Sequence, residues 1–304
     1  MPIQTRRTFL QNAASASLAG AALLRGSRAS ASPLGLPLGL QLYSVRDQLA
    51  KDYEGTLKQV AGLGFKEVES AGYYDHTPEQ VNAAMQAAGL HLVSAHYSYD
   101  ALNPKLPDII AFNKQLGVRY IICAFPGFKN PASVQGKSFA DRVRSFTLDD
   151  YRWNAEQFNR IGAQVKQAGM HFGYHNHTME FHPQQGVVPF DELIHLTDPA
   201  LVTFEMDAGW VKVGGGDPAA YLRRYPTRIS MMHIKDFKHT SKPESVSAPP
   251  PSAELGQGTV DFPALFAAAS KSNIKHLFVE QEEYDMPWLD ALRIDANYMK
   301  GLKA

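Results

Sequence analysis

The sequence has almost no cysteine, no excess of charge of one sign and no apolar run of the length that a membrane span needs. Its single cysteine, Cys123, cannot form a disulfide within the chain, so we expect a large hydrophobic core to hold the fold. The 30 basic residues balance the 30 acidic ones. Because a nucleic-acid-binding protein would be expected to carry a basic face, this composition predicts no nucleic-acid partner.

The first 31 residues have the organisation of an export signal. Arg6 and Arg7 precede Phe9-Leu10 as in a twin-arginine signal, and a weakly apolar run follows over residues 13–24. This run is too short and too rich in Ala, Ser and Gly for a bilayer core, which needs about 20 apolar residues. Ala29-Ser30-Ala31 supplies small residues for cleavage after Ala31. We therefore predict a periplasmic protein that has no membrane attachment after cleavage.

The part that remains, residues 32–304, has the size of one large domain. Removing residues 1–31 takes away four arginines and no acidic residue, which leaves 26 basic against 30 acidic residues. A closed (β/α)8 barrel typically contains roughly 250 residues. We predict that residues 32–304 form a single (β/α)8 TIM barrel and that this is the catalytic domain.

Short β-branched or aromatic runs alternate with longer helical patterns, as in parallel strands joined by helices. The predicted strands are Gly39–Tyr43, Glu67–Ser70, Leu92–His96, Tyr120–Ala124, Phe172–His175, Thr203–Asp207, Ser230–Ile234 and Leu277–Glu280. The predicted helices are Asp52–Leu63, Thr77–Ala88, Leu106–Leu116, Leu148–Ala168, Pro189–Leu196, Pro218–Tyr225, Pro263–Ser272 and Trp288–Gly301. Tyr43–Asp47 has no glycine, which argues against the nucleotide-binding turn of an open, doubly wound sheet.

Two longer segments interrupt this alternation, and each follows a predicted strand. Phe125–Phe146 is rich in Gly, Pro, Lys and Ser, and Lys238–Leu255 contains three consecutive prolines. In a barrel both would lie on the catalytic rim, so we predict that they form lids; plain surface loops are the alternative.

Each of the last four predicted strands ends in, or runs into, a residue that can bind a metal ion. These residues are Glu180, Asp207, His233 and Glu280. The carboxyl ends of barrel strands meet on the catalytic face, so we expect the four side chains to share one site. Three carboxylates and one imidazole suit Mn²⁺ best, with Mg²⁺ or Co²⁺ as alternatives, and the histidine also allows Zn²⁺ or Fe²⁺.

Five segments are distinctive when taken together. They are Gly173-Tyr174-His175-Asn176-His177 with Glu180-Phe181, Glu205-Met206-Asp207-Ala208-Gly209-Trp210, His233-Ile234-Lys235-Asp236, Gly256–Phe262 and Phe278–Glu282. With them, residues 38–303 resemble the xylose isomerase-like barrels, a family of sugar phosphate isomerases/epimerases with inosose dehydratase-like and ketose 3-epimerase-like members. The resemblance implies that the four residues above are the metal ligands. It also implies that Glu180 and Glu280 exchange a proton with the substrate carbon from opposite faces.

Several further residues are candidates for substrate contact. Lys235 lies two residues after His233, so both side chains share one face of an extended strand, and its ammonium could stabilise an oxyanion. Asp236 would then point away. His175 and His177 could bind substrate hydroxyls or orient the ligands. Residues expected at the opposite half of the pocket or as stacking surfaces are Gln41, Tyr43, Glu69, His96, Phe125 and Trp210.

The predicted function is that of a divalent-metal-dependent sugar isomerase or epimerase. Its chemistry starts with removal of a proton next to a carbonyl and formation of a metal-stabilised enediolate. Epimerase-like members carry a second histidine and an arginine where this chain has Trp210 and Lys235, which leaves the reaction type open. The main alternative is a lyase or dehydratase that acts by β-elimination on a keto-sugar or keto-inositol. A non-catalytic periplasmic sugar-binding protein and an endonuclease-like hydrolase are weaker ones. Export and the lack of an arginine cluster favour an unphosphorylated keto-sugar or 3-keto-glycoside as substrate. The protein could also form a homo-oligomer.

Overall fold

The structure is a computed structural model, and it describes residues 33–241, 245 and 247–302. The predicted export signal, residues 1–31, therefore lies outside the described residues. Among those that are described, no helix combines the length and the apolar character of a membrane span.

Eight parallel strands close into a barrel, as the sequence predicts. The barrel strands are β1 (Leu38–Gln41), β2 (Glu67–Ser70), β3 (His91–Ser98), β4 (Tyr120–Phe125), β5 (His171–His175), β6 (Val202–Asp207), β7 (Ile229–Ile234) and β10 (His276–Val279). Around the barrel their order is β1-β10-β7-β6-β5-β4-β3-β2, and β2 pairs with β1 again. A short antiparallel pair, β8 (Asp236–Phe237) and β9 (Ser252–Ala253), lies at the rim.

Helices follow the strands and cover the outside of the barrel. They are α1 (Arg46–Leu49), α2 (Tyr53–Gly62), α3 (Pro78–Ala88), α4 (Tyr99–Gln115), α5 (Phe139–Ser145), α6 (Leu148–Gln167), α7 (Pro189–Leu196), α8 (Ala208–Val213), α9 (Pro218–Arg224), α10 (Phe262–Ala269) and α11 (Trp288–Gly301). Each predicted helix is present. Helix α4 begins seven residues before the predicted start, because Ser98 caps an extra helical segment and a kink at Lys105 joins it to the predicted one.

An apolar layer fills the barrel interior beneath the catalytic face. It consists of Val93, Tyr120, Ile122, Met231 and Phe278, all of them buried. Side chains two residues apart on a strand point to the same side. His233 lies two positions after Met231 on β7, and Glu280 lies two positions after Phe278, just beyond β10. Both therefore also face the interior, one layer closer to the carboxyl ends of the strands.

The two segments predicted to be lids are partly ordered into regular structure. Phe125–Phe146 contains a 3-10 turn (Pro131–Val134) and helix α5, and its Phe128 and Val143 side chains are buried. The second segment supplies β9, and residues 242–244 and 246 within it lie outside the described residues. The described parts of both segments lie on the catalytic rim, and their role as lids remains a prediction.

Asp236 ties the rim to the loop before α10. As predicted, its side chain points away from that of Lys235. Its carboxylate accepts hydrogen bonds from the backbone N–H groups of Gly256, Gly258, Thr259 and Val260 at 2.8–3.1 Å. A Cβ atom on Gly258 would lie only 2.2 Å from Oδ1 of Asp236, so this close approach requires glycine.

We expect Asp236→Ala to lower the free energy of unfolding by about 3 kcal/mol, because several buried N–H groups would lose their acceptor. Urea unfolding followed by circular dichroism measures this loss. The control is Asp285→Ala, since Asp285 is exposed and contacts only the partly exposed Lys238 among the described residues. That variant should change stability by less than about 1 kcal/mol. Equal effects of the two substitutions would contradict the anchoring role.

Asp295 predicts a pH dependence of stability. Burial raises its pKa to about 7, and its Oδ2 atom has no hydrogen-bond partner among the described residues. The raised pKa means that folding disfavours the charged carboxylate. The stability contribution of Asp295 is therefore complete below its unfolded pKa of about 4 and is lost as the pH rises through about 7.

We expect Asp295→Asn to raise the free energy of unfolding by about 4 kcal/mol at pH 8, because the amide carries no charge to bury. At pH 4 the variant and the parent protein should be equally stable. Urea unfolding at both pH values checks this, and an equal difference at pH 4 and pH 8 would show that charge burial is not the cause.

Candidate active site

Five polar side chains form a buried inner cluster directly above the apolar layer. They are Glu69 on β2, His96 on β3, His175 on β5, Glu205 on β6 and His233 on β7. His96 is the most exposed of them and still has only 12 % of its side chain accessible. The barrel thus brings residues from five different strands into one contact group.

One carboxylate oxygen stands at the centre of the inner cluster. Oε2 of Glu205 lies 2.6 Å from Nε2 of His96, 3.2 Å from Nδ1 of His175 and 3.2 Å from Nε2 of His233. Burial opposes ionisation of Glu205, but the neighbouring imidazoles outweigh it and lower the pKa of this carboxyl to about 2. The other carboxylate oxygen of Glu205, Oε1, is buried and has no hydrogen-bond partner among the described residues.

Glu69 holds two of these imidazoles from the other side. Its Oε1 atom lies 2.8 Å from Nε2 of His96 and 2.7 Å from Nε2 of His233. Gln41 donates to the same oxygen at 2.7 Å, and Ser94 donates to Oε2. The shared imidazole nitrogens therefore face carboxylate oxygens of two different strands.

A second group, the outer group, lies above the inner cluster and consists of Asp207, Lys235, Glu280 and Glu282. The ammonium of Lys235 is completely buried and lies 3.1 Å from Oε2 of Glu280, in contact with Glu282 and 3.9 Å from Oδ2 of Asp207. It also lies 4.7 Å from the ring centre of Trp210. Burial disfavours this charge, but the three carboxylates more than compensate and raise the pKa of Lys235.

His233 connects the two groups through its two ring nitrogens. Its Nε2 atom faces Glu69 and Glu205, and its Nδ1 atom lies 3.0 Å from Oε2 of Glu280. Oδ2 of Asp207 is 3.9 Å from the same Nδ1 atom. This Oδ2 is buried and has no hydrogen-bond partner among the described residues, whereas Oδ1 of Asp207 accepts from the N–H of Trp210 and caps α8.

The structure brings together three of the four metal ligands predicted from the sequence. Donor atoms of Asp207, His233 and Glu280 lie within 4.8 Å of one another. Glu180 belongs to neither of the metal-competent groups found among the described residues. It lies in a 3-10 turn (Met179–Phe181), where its carboxylate accepts from the hydroxyl of Tyr174 and from the N–H of His177. Burial raises the pKa of Glu180 to about 7.

The other predicted site residues lie at the same end of the barrel. Lys235 belongs to the outer group and His175 to the inner cluster. His177 lies above His175, and its buried Nδ1 atom has no partner among the described residues. Burial, followed by the charge of Lys235, lowers the pKa of His177 to about 3, so its imidazole is neutral.

A cavity of about 500 Å³ opens above both groups. His96, His175, His177, Trp210, Glu280 and Glu282 line it together with residues of the rim. A larger cavity, of about 820 Å³, lies at the opposite end of the barrel. Its lining includes the first residues of four strands, Tyr120, His171, Val202 and His276. Because barrel enzymes carry out their chemistry at the carboxyl ends of the strands, the smaller cavity is the candidate active site.

The inner cluster is suited to a divalent cation. His96, His175, Glu205 and His233 offer donor atoms within 4.8 Å of one another, and Oε1 of Glu205 has no protein partner among the described residues. Imidazole nitrogens, once deprotonated, and a carboxylate are ligands for Zn²⁺, Mn²⁺ or Fe²⁺. A bond from Nδ1 of His233 to Glu280 would orient that imidazole, as is usual for histidine ligands of metals.

The outer triad of Asp207, His233 and Glu280 fits a cation less well, because the ammonium of Lys235 already lies 3.1 Å from Glu280. Glu69 and His96, expected at the opposite half of the pocket, belong to the inner cluster, and Glu205 is not among the site residues predicted from the sequence. The signal for Glu205 was present in the sequence, since it lies two residues before Asp207 and so shares its face of β6.

Comparison with known proteins agrees with the barrel fold. Residues 57–302 match the family model described as a xylose isomerase-like TIM barrel. An inosose dehydratase of Clostridium perfringens is 25 % identical over 251 residues, which cover 76 % of this chain and 82 % of that protein. An inosose dehydratase of Lacticaseibacillus casei is 26 % identical over 252 residues, covering 77 % and 83 %.

Among solved structures, a sugar phosphate isomerase/epimerase from Parabacteroides distasonis superposes with a TM-score of 0.68 and 26 % identity. The superposition covers 86 % of this chain and 97 % of that one. Since the family model spans most of the described barrel, the chain belongs to the xylose isomerase-like TIM barrel family.

Proposed function

We propose that this protein is a divalent-metal-dependent enzyme that removes a proton next to the ketone of an unphosphorylated keto-sugar or 3-keto-glycoside and then eliminates the substituent on the next carbon. The observation that carries the proposal is that only one of the two glutamates expected to exchange protons, Glu280, lines the cavity. Glu280 lines it beside Lys235, whereas the carboxylate of Glu180 is held in the barrel wall by Tyr174 and His177. The inosose dehydratases similar to this chain are named for a reaction of the elimination type.

The inner cluster would hold the metal ion through His96, His175, Glu205 and His233. A bound divalent cation would polarise the substrate carbonyl and so acidify the neighbouring C–H bond. No arginine lines the cavity among the described residues, which favours an unphosphorylated substrate.

Glu280 is our candidate for the base. Burial would raise its pKa, but Lys235 and His233 outweigh this effect and lower the pKa, so the carboxylate is ionised. The proton of the substrate C–H bond would pass to this carboxylate. Lys235, held by Glu280 and Glu282, would stabilise negative charge that develops on the substrate oxygen or protonate the leaving oxygen.

Epimerisation is the second candidate, and His177 is the observation that favours it. Epimerisation at one carbon needs a second group that returns a proton to the other face. The imidazole of His177 lines the cavity, and its Nδ1 atom has no hydrogen-bond partner among the described residues, so this nitrogen could take up a proton from water and pass it to the carbon. In this version His177 would take the role that the family resemblance assigns to Glu180.

We also propose that the enzyme acts in the periplasm after export by the twin-arginine route, on the basis of Arg6, Arg7 and the cleavage sequence that ends at Ala31. Sugars are mainly unphosphorylated outside the cytoplasm, in agreement with the proposed substrate class. Cell fractionation of the full chain and of an Arg6→Lys/Arg7→Lys variant tests this location.

The two metal-competent groups can be separated by substitution. We expect Glu205→Gln to weaken Mn²⁺ or Zn²⁺ binding by at least about 100-fold, since even residues behind the direct ligands typically contribute about 10- to 100-fold. Asp207→Asn and Glu180→Gln should bind the metal with nearly unchanged affinity. Metal titration by calorimetry, with metal analysis after dialysis, gives the result. The opposite order for Glu205 and Asp207 would place the metal in the outer triad.

Proton abstraction can be measured directly in D2O. We expect Glu280→Gln to slow deuterium incorporation next to the ketone by about 1,000-fold, because a positioned base typically contributes 10²–10⁴. Glu180→Gln is the matched control and should retain exchange. NMR of the product separates an unsaturated elimination product from an epimer. Exchange at the parent rate in Glu280→Gln, or loss of exchange in Glu180→Gln, would contradict the proposed roles.

A further inference from the structure

Exposed aromatic side chains are concentrated at the mouth of the candidate active site. Among the residues that the structure describes, four large hydrophobic side chains are exposed: Tyr43, Phe139, Leu196 and Met286. Two of these four, Tyr43 and Phe139, line the same cavity, with 41 % and 52 % of their surface accessible. Exposed aromatic surface at the entrance of a pocket is typical of a binding site.

Phe139 is the outermost member of an aromatic wall that leads down to the chemistry. Its ring lies 5.7 Å from that of Phe125, which in turn lies 5.7 Å from His177. The ring of His177 lies 6.0 Å from Trp210, and Trp210 contacts the ammonium of Lys235. One side of the cavity is therefore a continuous series of ring faces and edges from the rim to the outer group.

Tyr43 lies on the other side of the mouth. It follows β1, which is three strands from β4 and four from β5 in the ring of eight, whereas Phe125 ends β4 and His177 follows β5. The guanidinium of Arg46 stacks 4.3 Å from the ring centre of Tyr43 and donates to the backbone oxygen of Glu282 at 3.2 Å. Tyr43 is thus held in place beside the segment that carries Glu280.

We propose that Tyr43 and Phe139 form an outer subsite that binds a ring-shaped aglycone, so that the substrate is a keto-glycoside whose second ring is a sugar or an aromatic group. The inference rests on the proposed function and adds the part of the substrate that lies outside the reacting ring. Flat apolar faces on both sides of an entrance suit the apolar faces of a sugar or aryl ring. A small free keto-sugar that reaches Glu280 and Lys235 at the floor would leave these rings exposed.

Unpartnered polar atoms on the aromatic wall fit the same ligand. Nδ1 of His177 and Nε1 of Trp210 are buried and have no hydrogen-bond partner among the described residues, and both side chains line the cavity. Nδ1 of His177 can accept or donate a hydrogen bond, and Nε1 of Trp210 donates one, so both can bind hydroxyl groups of the reacting ring. The wall therefore combines hydrogen-bonding atoms near the floor with apolar rings at the rim.

The test measures binding without turnover, in the metal-loaded Glu280→Gln enzyme, by calorimetry. The probes are 3-keto-glucose, methyl 3-keto-β-glucoside and phenyl 3-keto-β-glucoside. We expect the phenyl glycoside to bind at least ten-fold more tightly than the methyl glycoside. Adding Phe139→Ala or Tyr43→Ala should reduce this ratio to near one, and Tyr43→Phe should keep it. Leu196→Ala, at an exposed position outside the cavity, should also keep it.

Equal affinity for the three probes would overturn the subsite while leaving the proposed chemistry intact. An unchanged ratio in both alanine variants would also overturn it. Absence of binding by all three sugars would contradict the proposed function itself. Deuterium exchange with 3-keto-glucose in the parent enzyme then separates the two failures, since it depends on the floor of the cavity and not on the rim.

Discussion

The structure of the catalytic face depends on the burial of an ammonium group. Lys235 has no exposed surface, and an isolated charge in such a place would cost several kcal/mol. Glu280 and Glu282 contact it from the end of β10, and Asp207 lies 3.9 Å away at the end of β6. Compensation of this one charge therefore links the ends of three neighbouring strands. It also places carboxylates at the floor of the cavity, among them the proposed base Glu280.

His233 makes the two polar groups into one system. Its Nε2 atom faces carboxylates that suit a metal site, and its Nδ1 atom faces the carboxylate proposed as the base. A change of charge next to Nε2 therefore alters how strongly a proton is held at Nδ1. The residues proposed to bind the metal ion and those proposed to transfer the proton therefore share one imidazole between them.

The eight strands, the eight main helices and the barrel were predictable, because short β-branched runs alternate with longer amphipathic patterns and no glycine-rich turn follows β1. Asp207, His233 and Glu280 were predictable as neighbours because each lies at a strand end, where alternation tells which way a side chain points. Glu180 follows β5 by several residues. There the chain turns into a 3-10 segment, and strand alternation no longer gives the direction of the side chain.

Other features depend on contacts between distant residues and could not be predicted in this way. The pairing of Glu69 with His96 and His233 joins β2, β3 and β7, and Glu205 adds β6 and β5 to the same contact. Two acidic residues of β6, Glu205 and Asp207, face the interior, and no local pattern in the sequence specifies which of them lies deeper. The early start of α4 required knowledge that Ser98 caps a short helical segment before two prolines, Pro104 and Pro107.

The pairing of β1 with β10 has a consequence for how the molecule is made. These two strands are the first and last of the barrel, and nearly the whole domain separates them along the chain. Until β10 is synthesised, β1 and β7 each keep an unpaired edge, and Glu280 is absent from the mouth. The bond from Nδ1 of His233 to Glu280 can therefore form only after translation of almost the entire chain. Contacts of such long sequence separation form slowly, so the completed barrel is a late product of folding.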